Sequence, residues 1–482
     1  MLLFLTIALP MLGGAAMGLM RFSSAKSRGI YVETIVLATS ILTWVLLLTR
    51  TDTTYVLCHM NSELALAFRV DGMSCIFAGL VSILWPLASL YGFEYMQHEE
   101  RPNTFFSYYT MSYAVTLAVA FSANLFSLYV FYECLTLITL PLVIHKKDTM
   151  SIRAGRKYLT FSISGAALAF IALVFIIYYG TTTDFVLGGV LDAEKISGME
   201  ELLKFVFLLA FVGFGTKAAV FPMYAWLPAA SVAPTPVTAL LHAVAVVNAG
   251  AYAVLRVIYY SFGASFLYGT WAQTVALLLS CFTILFGSTM AVREQHFKRN
   301  LSYMLMGAAL MTPDGMTGSL SHLVIHGVIK ITLFYCAGAI LIKTGKEYVQ
   351  DLRGYSRIMP ATCGIFLLGS IALVGTPPLA GFVSKWNLLT AASATELPMG
   401  TVAIVCLIIS AILTAIYLFT AALPMYFRPL NADQAQLAGQ KLDPSWMMLF
   451  PMGILCALMI GLGLWSQPLV TFLRNISAGV IF

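Results

Sequence analysis

Charge is what this sequence has least of. Of its 482 residues only 10% are Asp, Glu, Lys or Arg, against 60% hydrophobic ones, and the mean hydropathy is +0.88. Soluble domains carry about 25% charged residues and under half apolar ones. A cytosolic enzyme is therefore excluded, and with it a disordered chain, a collagen-like repeat and a coiled coil. The eight cysteines, at 58, 75, 134, 281, 336, 363, 406 and 456, are scattered through apolar runs with no C-x-x-C pair. Such spacing signals neither a disulfide framework nor a cysteine-rich metal or iron–sulfur site. Long loops are missing too. None exceeds about 25 residues, which leaves no room for a soluble catalytic domain, so 1–482 reads as one membrane domain.

What is present is a series of apolar runs. A spanning helix needs about 20 mostly apolar residues. Candidates fall near 2–20, 30–49, 72–96, 105–121, 124–144, 157–179, 202–221, 237–260, 271–292, 302–313, 319–342, 361–390, 401–427 and 447–472. That makes fourteen, with 302–313 the shortest. Met1 to Pro10 has no basic stretch and no A-x-A site follows, so this segment reads as a first span and not as a secretory signal. With the N-terminus outside, alternate loops place 18 of the 27 Lys and Arg in the cytoplasm. Six lie on the outer side: Arg50, Arg69, Lys195, Lys204, Arg256 and Arg474. This is the bias expected of a multi-pass protein of the inner (plasma) membrane, and the longest outer loop, 180–201, is conversely acidic. The net charge of +6 sets topology and gives no case for nucleic acid.

Three lysines remain inside spans, Lys217, Lys330 and Lys385, together with Glu133 in FSLYVFYECLTLITLPLVI. A charge at a helix centre costs roughly 2.5–3.5 kcal/mol on insertion scales, so these four need partners, water or a shifted proton affinity. One Glu133–lysine pair could simply fix helix packing. Three lysines cannot all be matched by one carboxylate, and burial disfavours the charged form of a lysine. The surplus reads as groups that take up and release a proton. In SHLVIHGVIKITLF, His322, His326 and Lys330 recur at i, i+4 and i+8, on one helix face. His242 sits in ALLHAVAVVNAGAY. A lone helical histidine is commonly a satisfied core residue, but a His-His-Lys face at lipid depth suits proton transfer, since histidine titrates near neutrality. Haem fits less well, because its two ligands normally come from different helices. Zinc lacks an accompanying carboxylate or cysteine. No cofactor is expected in this chain.

Two proline-rich interruptions complete the pattern. Lys217 lies in GFGTKAAVFPMYAWLPAASVAPTP, with Pro222, Pro228, Pro234 and Pro236, and Lys385 closes GTPPLAGFVSK, with Pro377 and Pro378. Both should break their helices. Broken backbone at membrane depth is tolerated where it lines a cavity or is buried in protein. One such segment in each half is the mark of an internally repeated transporter.

These blocks, in this order, resemble the proton-conducting antiporter-like subunits of respiratory complex I, multisubunit Na+/H+ (Mrp) antiporters and membrane-bound group 4 hydrogenases. The resemblance covers about residues 65–390. It is carried by RVDGMS with Asp71 and GFEYM after it, YVFYE ending at Glu133, RKYLTFSISGA, GFGTK…WLP…APTPVTALLH, FKRNLSYMLMG, HLVIHGVIK, DLRGYSRIMP and GTPPLAGFVSK. It implies an all-α polytopic membrane protein of about fourteen spans, with two inverted five-helix repeats that each hold a broken helix. The corresponding division is N-terminal helices 1–100, a first repeat 101–260, a second 261–427 and a C-terminal helix 428–482. It also implies that Glu133 and Lys217 pair in the first half-channel. Lys330 and Lys385 would belong to the second, with His242, His322 and His326 in the hydrophilic axis between them.

Departures from the family pattern bear on the route. Asn248 stands where many members carry lysine, which directs the central relay through His242. His296 replaces an acidic residue before the Lys298–Arg299 pair, and WLPAAS lacks the usual acidic residue at the cytoplasmic mouth. Lys385 fits the lysine-terminated members, and the chain ends soon after the last span, without the long lateral helix of the largest complex I subunit. The resemblance implies a proton-translocating subunit of a redox-driven complex. Its partners would be other membrane subunits, further antiporter-like ones included, a peripheral redox arm reached through them, and lipid. A cation/H+ antiporter and a non-pumping scaffold are the alternatives.

Overall fold

In hydrocarbon a backbone can satisfy its polar groups within one segment only as a helix, and the apolar runs fold accordingly. The computed structural model describes residues 1–49, 53–61, 64–293, 304–346, 348–395, 398–431 and 439–480. Arg50, His296, Lys298 and Arg299 lie outside them. In chain order the first elements are α1 (Leu2–Leu19), α2 (Ala25–Thr49), a β1–β2 hairpin (Tyr55–His59, Ala65–Phe68), α3 (Gly72–Tyr95), α4 (Pro102–Phe121), α5 (Leu125–Val143) and α6 (Thr149–Tyr179). Then come α7 (Glu200–Gly215), α8 (Trp226–Ala230), and α9 (Thr235–Ala239) and α10 (Val246–Arg256), which π-helical turns join into one segment, Thr235–Phe262. The remainder is α11 (Ala264–Leu267), α12 (Trp271–Arg293), α13 (Met304–Ala309), α14 (Pro313–Thr344), α15 (Pro360–Val374), α16 (Ala380–Ser393), α17 (Pro398–Phe427), α18 (Trp446–Leu464) and α19 (Gln467–Ser477).

Ten helical segments among the described residues are long and apolar enough to cross a bilayer. Four of the fourteen expected spans fall outside that set for physical reasons. α4 is rich in Tyr, Ser and Thr. The 202–221 run stops at Gly215, 302–313 yields among its described residues the six of α13, and 361–390 is cut into α15 and α16 at the Pro377–Pro378 turn. The C-terminal region carries two helices, α18 and α19. The hairpin between α2 and α3 was not anticipated; Tyr55 pairs Phe68 and His59 pairs Ala65 across a bulge.

Helix starts are set by short polar side chains that accept from free backbone N–H groups. Asp71 and Ser74 form a reciprocal capping box at α3, Asn124 caps α5, Asp148 caps α6, and Thr312 caps α14. Position in the bundle follows composition. The 235–262 segment buries every residue, and most of α14 is buried, whereas α1, α17 and α18 turn most of their apolar surface outward. Outward apolar faces are what lipid selects. The two most enclosed segments are also the ones that carry His242, His322, His326 and Lys330.

Candidate functional site

The first cluster forms where α7 breaks. Lys217 lies two residues beyond the end of α7, in a run of turns that continues to α8. Its Nζ stands 3.7 Å from Glu133 Oε1 on α5. It also donates to the Tyr132 carbonyl and sits over the Tyr132 ring, 3.5 Å from the centroid. Tyr132 is held in turn, its hydroxyl donating to the Phe214 carbonyl at 2.7 Å. Trp226 Nε1 donates to the Thr216 carbonyl at 2.8 Å, so α8 takes up a backbone acceptor freed by the break. The lysine is fully buried and Glu133 partly so. Glycine makes the packing possible. A Cβ at Gly250 would run into the backbone of Lys217 and Ala218, and one at Gly165 would strike Thr216.

Gly250 belongs to the central segment, which carries the arrangement onward. A π turn at Leu240–Val244 inserts one residue into the helix, and such turns recur at functional positions. Here it sets His242 opposite Ser231, 3.5 Å from Nε2, and against the Phe334 ring of α14 at 5.1 Å. Asn248 Nδ2 donates to the Ala243 carbonyl at 2.8 Å, next to the close approach of Gly327 on α14. Asn248 thus holds the π turn closed.

On α14 the expected face is realised. The rings of His322 and His326 stack at 4.9 Å and 30°, and His322 Nδ1 lies 3.2 Å from Ser384 Oγ on α16. Lys330 is buried one turn further along. Both histidines lie within electrostatic reach of Lys330 and Lys385. Lys385, on the second piece of the broken pair, reaches back to the end of the first. Its Nζ donates to the carbonyls of Leu373 and Val374 at 2.9 and 2.8 Å. Gly375 caps α15 at φ +94°, where a Cβ would press on the Lys385 side chain. Glu133 with Lys217 and His322 with His326 are thus direct pairs. His242 joins them through packing of the central segment on α14.

Sequence reading understated the buried charge. Arg256, counted as an outer-side residue, is wholly buried on the central segment and meets Asp71 at 2.7 Å. Tyr252 Oη accepts from the same guanidinium at 2.7 Å, and the rings of Phe185 and Tyr260 flank it at 4.8 Å. Burial would push the Asp71 carboxyl up, but the Arg256 guanidinium, the Ser74 N–H and Arg69 together hold it below the usual carboxylate range. Nor is Glu133 the only carboxylate inside a span. Glu94 takes Lys343 at 3.0 Å and Ser445 at 2.5 Å, which ties the ends of α3 and α14 to the start of α18. Glu33 on α2 accepts from Ser89. The available signal was an acidic residue in each of the runs 30–49 and 72–96.

Two family profiles match the chain. One, described as NADH:quinone oxidoreductase/Mrp antiporter, TM, covers residues 122–414; the other, NADH-ubiquinone oxidoreductase (complex I), chain 5 N-terminus, covers 59–106. NADH-quinone oxidoreductase subunit N of Desulforudis audaxviator is 28% identical over 81% of this chain and 80% of its own length. A Na(+)/H(+) antiporter subunit of Alkalihalophilus pseudofirmus is 31% identical over 74% of this chain, which spans 47% of that protein. Hydrogenase-4 component B of Escherichia coli is 30% identical over 67% of the chain and 50% of its own length. In fold, the chain matches one from the archaeal membrane-bound sulfane sulfur reductase at a TM-score of 0.83, 18% identity, covering 99% of this chain and 97% of that one. It matches one from the Mrp complex of Dietzia sp. at 0.83, 20% identity, covering 99% and 96%. The first profile spans more than half of the sequence and includes Glu133, Lys217, His242, His322, His326, Lys330 and Lys385. The chain belongs to the NADH:quinone oxidoreductase/Mrp antiporter transmembrane family.

Proposed function

We propose that this chain is a proton-translocating subunit of a redox-driven membrane complex, complex I-like or hydrogenase-like, and that H+ moves along Glu133, Lys217, His242, His322, His326, Lys330 and Lys385. The observation that carries the reading is a set of enclosed titratable side chains: the Glu133–Lys217 ion pair, His242, His322, His326 and Lys330 on two buried, mutually packed helical segments, and Lys385 at the second break. At about 4 Å, two unit charges attract by about 4 kcal/mol at an effective dielectric of about 20. Moving one charge against 100 mV takes about 2.3 kcal/mol. Opening or closing the Glu133–Lys217 pair is therefore large enough to drive one proton step against a membrane potential. The chain's own role is to hold and pass protons at nitrogen and carboxylate atoms. The driving reaction belongs to partner subunits and a peripheral redox arm, and no cofactor is assigned to this chain.

The same reading places the chain in the plasma membrane with its N-terminus outside, in an array with further antiporter-like subunits and lipid. It takes 101–260 and 261–427 as inverted half-channels between the helices of 1–100 and 428–482. A second reading, a component of a cation/H+ antiporter, is supported by relatives at 31% identity that are named for Na(+)/H+ and K(+)/H+ exchange. Affinity purification through this chain, with mass spectrometry of what accompanies it, separates the two. Subunits of a quinone site or a NiFe-type hydrogenase favour the redox-driven complex. Cation-dependent proton flux without any redox subunit favours the antiporter, and pumping unaffected by substitutions along the axis favours a scaffold.

A further inference from the structure

Glu33 is a carboxylate that the proposed path does not use. It stands about two turns inside α2, and among the described residues no ion pair engages it. Its contact is neutral: Ser89 Oγ of α3 donates to Oε2 at 2.5 Å, with the Pro86 carbonyl 3.0 Å from the same hydroxyl. Aromatic rings from α3, α4 and α14 wall the same region. Trp85 stacks on Tyr113 at 4.7 Å and meets Tyr109 at 5.5 Å, and Tyr335 stacks on Tyr91 at 3.9 Å.

Trp85, Tyr109 and Tyr335 are each 1% exposed or less, yet Trp85 Nε1, Tyr109 Oη and Tyr335 Oη have no hydrogen-bond partner among the described residues. Tyr109 is within electrostatic reach of both Glu33 and Tyr335. Buried N–H and O–H groups are hydrogen-bonded, to ordered water where no protein atom serves. An indole N–H only donates, which suits water and opposes a bare metal cation. Water between a carboxylate and two phenols is a route for a proton, and Tyr335 lies on α14 five residues beyond Lys330.

We propose that α2, α3, α4 and α14 enclose a hydrated proton-access pocket, in which Glu33 carries the proton and Tyr109 and Tyr335 hold the water that leads to α14. Glu33 takes H+ from water on the side where α2 begins, forming one O–H bond. The donor water's O–H breaks as the carboxyl O–H forms; on release the carboxyl O–H breaks as an O–H forms on pocket water, and Glu33 recovers its charge. This rests on the proton-translocating reading and adds an entrance to it.

The test uses the purified complex in vesicles, with Lys217→Ala as the reference. Glu33→Gln is expected to slow redox-driven proton translocation by about a hundredfold, the low end for losing a proton-transfer group. Glu33→Asp should restore most of the rate, and Tyr109→Phe and Tyr335→Phe should each reduce it. Parent-rate pumping in Glu33→Gln, with pumping abolished in Lys217→Ala, would overturn the pocket and leave the main reading intact. Unchanged pumping in Lys217→Ala would defeat the main reading itself. An experimental map of the unsubstituted complex decides independently of variant assembly. Ordered water within hydrogen-bond reach of Tyr109 Oη and Tyr335 Oη supports the pocket, and a dry site or a bound sodium ion overturns it.

Discussion

The two broken helices carry the same side chain in different company. At the first break Lys217 faces a carboxylate at 3.7 Å and an aromatic ring at 3.5 Å. At the second, Lys385 faces the two terminal carbonyls of α15 at 2.8 and 2.9 Å. Both solve the problem of an ammonium in a low dielectric, but by different means. A carboxylate can change its own charge, whereas a helix end has a fixed partial negative charge. The first site can therefore be switched by a proton on its direct partner, whereas at the second the titratable groups nearby are His322 and His326 on α14.

The largest expected effect comes from removing the switchable partner. Glu133→Gln keeps a hydrogen-bonding group of the same shape, so assembly should survive while proton translocation in vesicles falls to background. Pumping at the parent rate would erase the distinction between the two breaks. The next effect is structural and comes from the pair outside both breaks. Asp71→Asn leaves the Arg256 guanidinium buried without its counter-charge, which costs about 3–5 kcal/mol and should lower the thermal midpoint of the solubilised chain. Because the Asp71 carboxyl is held below its ordinary range, the pair's contribution is present at neutral pH and is lost as pH falls through that lowered value. The Asp71→Asn variant should therefore have a flatter acid limb in a stability–pH profile.

A smaller loss follows at the second break. Lys385→Met strips the donors from the Leu373 and Val374 carbonyls, worth about 1–3 kcal/mol for a buried group left unsatisfied. Glu133→Gln should cost much less stability, so chemical denaturation of the two variants separates a capping lysine from a paired one. Smallest is Gly375→Ala. Its left-handed backbone, at φ +94°, costs an alanine about 1–2 kcal/mol, and its Cβ would push on Lys385. The effect should appear as a modest drop in midpoint with a weakened translocation rate.

Much of this was legible from residue order. Lipid imposes one rule on every span, so apolar runs and the proline interruptions translated into helices and breaks. The His322–His326–Lys330 face follows from helical spacing, and Glu133 was the sole carboxylate at the middle of a run. What could not be read depends on three-dimensional pairing. Asp71 and Arg256 lie 185 residues apart, and neither position announces the other. The π turn that aims His242, with Asn248 closing it, arises from packing against α14 and leaves no period in the sequence. Glu33 and Glu94 lie toward helix ends, where a carboxylate usually reaches headgroups or water. Their inward contacts come from α3, α14 and the start of α18.

The most direct test of the central claim is the number of protons translocated per electron by the purified complex carrying Lys217→Ala. The account predicts that electron transfer continues while the ratio falls, because one link of the buried relay has no proton to hold. A ratio equal to that of the unsubstituted complex, at equal subunit content, would contradict it.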